Sequence, residues 1–290
     1  LTGSSSRKLK REGSDLLAGR AALRQLHPFM ASELGDDFNL DHALKYGMVP
    51  IVIRNATQSP EEVLRSYLAL YVREEVQLEG LVRNVPAFNR FLEAASFSQA
   101  QTLNISNVAA ECEVERKSVE SFFSILEDLL LAFQLPVFSK RAKRELVKHR
   151  KFYFYDCGVF GSIRPRGPLD RIEEIGGAAL ETLVAQHLLA WIDYRQKGET
   201  LHFWRTRSKV EVDFVVYGPD TFAAIEVKNS DRIRPDDMRG LLSFKEDYPA
   251  AKLIFLYRGN EVRTRDGILC RPVEGFLREL HPDNPAIIVG

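Results

Sequence analysis

The sequence predicts a mostly helical first half followed by an α/β domain with the element order α-β-β-β-α-β. Two observations carry that division. Up to about Leu135, apolar residues recur at helical spacing between caps and breakers. From Glu174 the texture changes: one helix runs to about Gln196, then come "LHFWRT", "VEVDFVV" and "FAAIEVK", a helix from Pro235 to Asp247, and "KLIFLY". "RPRGPLD" (Arg164 to Asp170) is the best connector between the halves.

The elements follow in order. Residues 1–58 mix short elements and show no convincing core of their own. The chain opens on Leu1, and "LTGSSSRKLKREGSDLLAGR" reads as the middle of something, so the expectation is the C-terminal part of a longer protein. A well-signalled helix starts at Ser59: Ser59 caps it, Pro60 suits its first turn, and Glu61 and Glu62 favour its positive end. A second helix covers about Pro86 to Ala95. "NISNVAAECEVERKSVESFFSILEDLLLAFQL" has helix-turn-helix spacing, with helices at about 106–112 and 116–133. Seven Lys or Arg against one Glu then lie between Lys140 and Lys151, before the strand "KFYFYD". A helix pair followed by a basic two-stranded excursion is the winged-helix pattern, which places a helical and winged-helix region at 59–163 and the α/β domain at 171–290.

Composition bounds the function. The chain has 290 residues, with Lys+Arg and Asp+Glu balanced at 40 each. That balance argues against a wholly basic nucleic-acid coat while leaving room for a local basic patch. Cys112, Cys157 and Cys270 are far apart, lack zinc-ligand spacing and suit a reducing compartment. With no run of about 18 apolar residues and no secretory signal, the expectation is a cytoplasmic protein without a membrane partner.

The stretch "EVDFVVYGPDTFAAIEVK" (Glu211 to Lys228) carries the chemistry. A turn centred on Gly218 to Asp220 pairs Tyr217 with Phe222. The same register sets Asp213 opposite Glu226 and Glu211 opposite Lys228. Alternation puts Glu211, Asp213, Val215, Glu226 and Lys228 on one face and Val212, Phe214, Val216, Ile225 and Val227 on the other, core face. Two carboxylates about 5 Å apart repel by roughly 3 kcal/mol at an effective dielectric near 20. A divalent cation such as Mg²⁺ turns that repulsion into coordination, and a neighbouring lysine can orient a water or stabilise charge on phosphorus. In "GGAALETLVAQHLLAW", Leu180, Val184, Leu188 and Trp191 make a buried stripe, and Glu181 at its edge aims a third carboxylate along the sheet. A solvated Glu-x-Lys face, or a plain Glu211–Lys228 ion pair, is the simpler alternative.

Helix Glu181, strand Asp213 and strand Glu226-x-Lys228 together resemble the PD-(D/E)xK nuclease-like superfamily. With "YLALYVREEVQLEGLVRNVPAFNRFLE", "SILEDLLLAFQLP", "KFYFYDCGV" and "FWRTRSKVEVDFVV", nearly the whole chain resembles the prokaryotic AAA-type ATPases that carry a C-terminal domain of unknown function. The resemblance implies Glu181, Asp213, Glu226 and Lys228 as catalytic positions, with Asp213, Glu226 and Glu181 as Mg²⁺ ligands. It implies that residues 1–58 are the remnant of an AAA-type ATPase domain, with Ser4 at its sensor strand and Arg20 at the position of an arginine that answers a neighbouring subunit's nucleotide, hence a homo-oligomer through the ATPase part. No G-x-x-x-x-G-K-[ST] occurs in the chain and no Walker B strand precedes "LTGSS", so ATP belongs to a longer parent protein. Lys209 also departs from the family, which more often has a small residue there.

DNA is the expected partner. Arg116 and Lys117 open the longer helix of the pair, where base or phosphate contacts fall. Lys140, Arg141, Lys143 and Arg144 form the basic excursion, and Arg205, Arg207 and Lys209 flank the acid cluster. The bland alternatives are a solvated hairpin and a helix pair that serves as a protein–protein module. Two functions therefore stand: a DNA-engaging region with a Mg²⁺-dependent nuclease-like domain, or an inactive nuclease-fold module that recognises a partner or substrate for the ATPase.

Overall fold

The computed structural model describes residues 24–55, 57–72, 76, 82, 84–168, 170–284 and 288. Among the described residues three short helices come first: α1 (Ala31–Leu34), α2 (Leu40–Tyr46) and α3 (Pro50–Ile53). α4 (Pro60–Tyr67) begins as its sequence predicts. Ser59 Oγ accepts from Glu62 N at 3.3 Å while Glu62 Oε2 accepts from Ser59 N at 3.3 Å, which satisfies two end donors reciprocally. α5 (Val85–Ser96) is capped by Asn84, and β1 (Gln101–Thr102) follows.

The helix pair is α6 (Ile105–Cys112) and α7 (Arg116–Asp128). α7 stops short of the expected Phe133. Leu130 takes a left-handed φ of 57°, and Leu131 N reaches back to Leu126 O at 2.9 Å, which closes the helix C-terminus. Ala132–Leu135 then forms β2 instead of a last helical turn. The apolar run "LLLAF" suits either state, and it is strand pairing with β3 (Lys151–Phe154) that decides. The sheet order is β1-β3-β2.

The basic excursion is not a free two-stranded hairpin. Residues 136–150 cross to the edge of the second sheet, where Phe138 N donates to Phe203 O at 2.7 Å and Val147 N to Arg205 O at 3.1 Å. Phe138, 1% exposed, packs against Phe244 and Tyr248. Burying that ring and pairing the edge of β4 outweighs leaving the segment in water.

α8 (Cys157–Ile163) leads to α9 (Ile172–Arg195), then β4 (Thr200–Arg205), β5 (Glu211–Tyr217), β6 (Phe222–Val227), α10 (Arg239–Asp247), β7 (Lys252–Tyr257), β8 (Arg263–Arg265), β9 (Ile268–Pro272) and α11 (Val273–Glu279). The expected α-β-β-β-α-β order is therefore present, extended by a hairpin and a helix in a mixed α/β unit. The sheet order is β4-β5-β6-β7-β9-β8. β4, β5 and β6 are antiparallel, β7 and β9 run parallel to β6, and β8 closes the edge antiparallel to β9. α9 is long and apolar enough to cross a membrane by length and composition. Here it is the central helix, with Leu180, Leu183, Val184, Leu188 and Trp191 fully buried.

Both faces of the second sheet are covered, against the expectation of one open face. Phe203, Phe214, Val216, Ile225 and Val227 pack with α9 and α11. Trp204, Val212, Val215, Ala224 and Phe255 pack with α10. Residues 24–53 build no core of their own. Met30, Ala31, Phe38, Leu40, Ala43 and Met48 join the α9 side of the same cluster. Asp156 pins this segment: its Oδ2 accepts from Met48 N at 2.7 Å and its Oδ1 from Gly158 N at 2.8 Å. Gly47, at φ 79°, is required there, because a Cβ would lie 1.9 Å from Asp156 Oδ1.

Candidate functional site

β5 and β6 pair in the expected register from Tyr217–Phe222 to Phe214–Ile225. Beyond that point the direct pairs end. On the other side, His202 faces Val215 while Trp204 faces Val212, so Asp213 and Phe214 together oppose Phe203. This β-bulge turns Val212 and Val215 to the same side, which overturns the strict alternation expected for β5. Asp213 is thereby directed toward α9 and β3.

At that end of the sheet lies a buried charge cluster. The ammonium of Lys151, the first residue of β3, is 2.6 Å from Glu181 Oε1, 2.6 Å from Glu211 Oε1 and 3.3 Å from Asp213 Oδ1. The Lys151 side chain is 2% exposed. Tyr153, two residues along β3, donates to Glu181 Oε1 at 2.5 Å. Asp213 Oδ2 accepts from Val227 N at 2.9 Å, which replaces the missing ladder pair. Arg205 Nη1 meets Glu211 Oε2 at 3.1 Å.

Glu226 and Lys228 form a separate pair, with Nζ 2.8 Å from Oε1. The expected Glu211–Lys228 cross-strand pair is absent, because Lys151 and Arg205 take Glu211 instead. Glu226 Oε2 is buried with no hydrogen-bond partner.

The electrostatics follow from burial and crowding. Burial, with Asp213 adding to it, raises the Glu181 carboxyl to about 7 against the pull of Lys151. Burial and then Asp213 hold Glu226 well above the usual carboxylate range, so its proton sits where two anions would repel. Burial alone would lower Lys151, but Glu181, Tyr153, Asp213 and Glu211 together hold it well above an ordinary lysine. Lys228 is raised too, since Glu226 and Asp213 outweigh its burial.

The four expected site residues thus gather around one end of β5 and β6, but their oxygens do not converge on a cation. Lys151 takes Glu181 and Asp213, Val227 N takes the second Asp213 oxygen, and Lys228 takes Glu226. Among the described residues no group of three or more His, Cys, Asp or Glu is arranged to hold a metal. In this arrangement the residues do not fit Mg²⁺, which needs near-octahedral oxygens at about 2.0–2.1 Å. Lys151 and Tyr153 are the members of the cluster that sequence reasoning missed, whereas Glu211 was expected opposite Lys228 and Arg205 beside the acids as a phosphate contact. The available signal was the i, i+2 spacing of Lys151 and Tyr153 in "KFYFYD", which places both on one side of a strand.

The cations expected to meet nucleic acid are dispersed, and several are engaged. Arg116 pairs with Glu120 at 2.9 Å, and Arg207 with Glu145 at 2.6 Å. Arg144 holds Asp247 at 3.0 Å, Ser243 at 2.7 Å and Glu246 at 2.5 Å. Lys140 lies 4.1 Å over the Tyr217 ring, and Lys143 reaches Glu246 O at 3.5 Å. Lys117, Arg141 and Lys209 are exposed. Ser4 and Arg20 lie outside the described residues.

Two family models match parts of the chain. Residues 22–170, just over half of the chain, match the model of the Domain of unknown function (DUF8612). The chain belongs to the DUF8612 family. Residues 176–275 match the Domain of unknown function (DUF4143), a domain found at the C-terminus of AAA-ATPase-like proteins. No curated protein matches the chain. The charge cluster straddles the two matches: Lys151 and Tyr153 come from the DUF8612 region, and Glu181, Glu211, Asp213, Glu226 and Lys228 from the DUF4143 region.

Proposed function

We propose that this DUF8612 protein is the C-terminal region of an AAA-type ATP-binding protein, and that its PD-(D/E)xK-like unit is a non-cleaving module that recognises a protein partner or substrate for the ATPase. One observation carries this reading: the Lys151 ammonium lies within 2.6 Å of both Glu181 and Glu211 and 3.3 Å from Asp213. A nuclease of this kind needs those oxygens for a metal that activates water and steadies the phosphoryl oxygens. The surface points the same way. Glu113, Glu115 and Glu120 lie exposed in the turn between α6 and α7 and at the start of α7, beside Arg116 and Lys117, which does not favour a phosphate backbone. The three cysteines are buried and unpaired, in keeping with a reducing cytoplasm.

The test is DNA cleavage with Mg²⁺ or Mn²⁺ by the wild-type chain and by Asp213→Ala. Absence of cleavage in both supports the reading. Cleavage that Asp213→Ala abolishes overturns it and restores the nuclease.

DNA engagement without cleavage is a second reading, favoured by one observation. The order α5, β1, α6, α7, β2, β3 with sheet order β1-β3-β2 supports a winged-helix reading of this region. Exposed Lys117, Arg141 and Lys148 would carry it. Binding should then weaken steeply between about 50 and 200 mM salt. Salt-insensitive or absent binding removes this reading.

A further inference from the structure

We infer that Lys151 stands in for a divalent cation in the acid cluster and, because it comes from the DUF8612 region, clamps that region onto the DUF4143 region. The inference deepens the non-cleaving reading by naming what holds the site silent.

The geometry is that of an internal ammonium. Its contacts of 2.6, 2.6 and 3.3 Å are nitrogen-to-oxygen hydrogen-bond lengths, and three donors meet three carboxylates. Glu181 comes from α9 and Glu211 and Asp213 from β5, so one cation joins two elements of the α/β unit to the strand that leads out of the other region. β3 is well anchored at its own end. Lys151 pairs with Thr102 and Leu135, and Phe152 and Phe154 sit in the core of the helical region. Alternation sends Lys151 and Tyr153 the other way, where Tyr153 joins the α9 side core. β3 is therefore the seam between the regions, and Lys151 is its charged rivet.

Besides Lys151, Glu211 keeps Arg205 as a cation, but among the described residues Glu181 has only the Tyr153 hydroxyl and Asp213 only the Val227 amide. Glu226, with a side chain 9% exposed, keeps an unpartnered Oε2 beside Asp213. Withdrawal of Lys151 would leave Glu181, Glu211 and Asp213 facing one another with a buried gap between them. A small divalent cation with oxygen ligands is the chemistry that such a gap accepts. The same seam thus decides between two states of the site: ammonium in and metal excluded, or ammonium out and metal admitted.

The experiment titrates Mn²⁺ into the full chain, wild type and Lys151→Ala, by calorimetry and by loss of the free-ion electron spin resonance signal. The expected result is no stoichiometric binding by the wild type and one Mn²⁺ bound by Lys151→Ala, tighter by at least about tenfold. Mn²⁺ should also raise the melting temperature of Lys151→Ala and leave that of the wild type in place. If Lys151→Ala does not fold, Lys151→Ser, which also removes the ammonium and keeps all three carboxylates, is titrated in its place. Equal Mn²⁺ binding by wild type and the folded variant, whether absent or present in both, overturns the inference. That outcome leaves wild-type DNA cleavage, the test of the functional reading, unaffected.

Discussion

His187 shows how a single buried group sets pH behaviour. Its Nε2 accepts from Ala31 N at 2.8 Å, so the ring proton sits on Nδ1, which donates to Leu183 O at 2.8 Å. Burial pushes the imidazole down to about 4, against the Leu183 carbonyl. The unfolded ring takes a proton near pH 6.5, while the folded ring stays neutral until about pH 4. Its contribution is therefore present above pH 6.5 and is lost as pH falls toward 4. Between pH 7 and pH 5 the loss is about 2 kcal/mol. Urea denaturation of wild type and His187→Gln should show the gap between them narrowing by about that much over this interval. Asp156, raised to about 6 by burial, and Glu181, raised to about 7, work in the opposite sense. Their share is present at low pH and is lost as pH rises through those values, so the comparison with the variant, not the wild-type curve alone, isolates His187.

At the level of elements, the segment 136–150 is held to the α/β unit by backbone bonds to β4, by the buried Phe138 ring and by Arg144. Asp247, beneath Arg144, has a side chain only 6% exposed. Arg144→Ala leaves that carboxylate buried without its cation, and the expected loss is about 1–3 kcal/mol. Hydrogen exchange should accelerate at Phe138 and Val147, whose amides pair with β4. Unchanged exchange there would show that Phe138 and the β4 pairing fix the segment without Arg144. Much of this layout was legible in the sequence. Ser59 and Pro60 announced α4, Gly218 to Asp220 fixed the β5–β6 register, and the stripe Leu180, Val184, Leu188 and Trp191 marked the buried side of α9. The β5 bulge was not legible, because it depends on how β4 pairs, and no residue type in "EVDFVVY" signals an extra residue. Nor was the destination of the basic run. Lys140 to Lys151 reads as one solvated stretch, yet its last member is buried among acids brought from α9 and β5. Local pattern reports which residues are charged, and tertiary pairing decides which of them meet water.

At the scale of the whole molecule, the family boundaries and the packing boundaries differ. The DUF4143 match begins at 176, but the core around α9 includes Met30, Phe38 and Met48 from the far end of the chain. Each such side chain stabilises by about 1.5–3 kcal/mol when buried instead of exposed. A fragment of residues 171–290 is therefore expected to lack a cooperative thermal transition and to bind a hydrophobic dye, whereas residues 24–290 should melt cooperatively. A sharp transition in the shorter fragment would show that the N-terminal segment is dispensable.

The same packing sets a schedule for the growing chain. Residues 31–48 leave the ribosome well before their neighbours on α9 and α11. At about 5–20 residues per second, the segment waits on the order of ten seconds or more with its methionines and Phe38 uncovered. The helical region between them can close first on its own phenylalanine cluster. Residues 31–48 must then be captured by a helix that arrives later, so a segment made ahead of its partners is among the last to find its place.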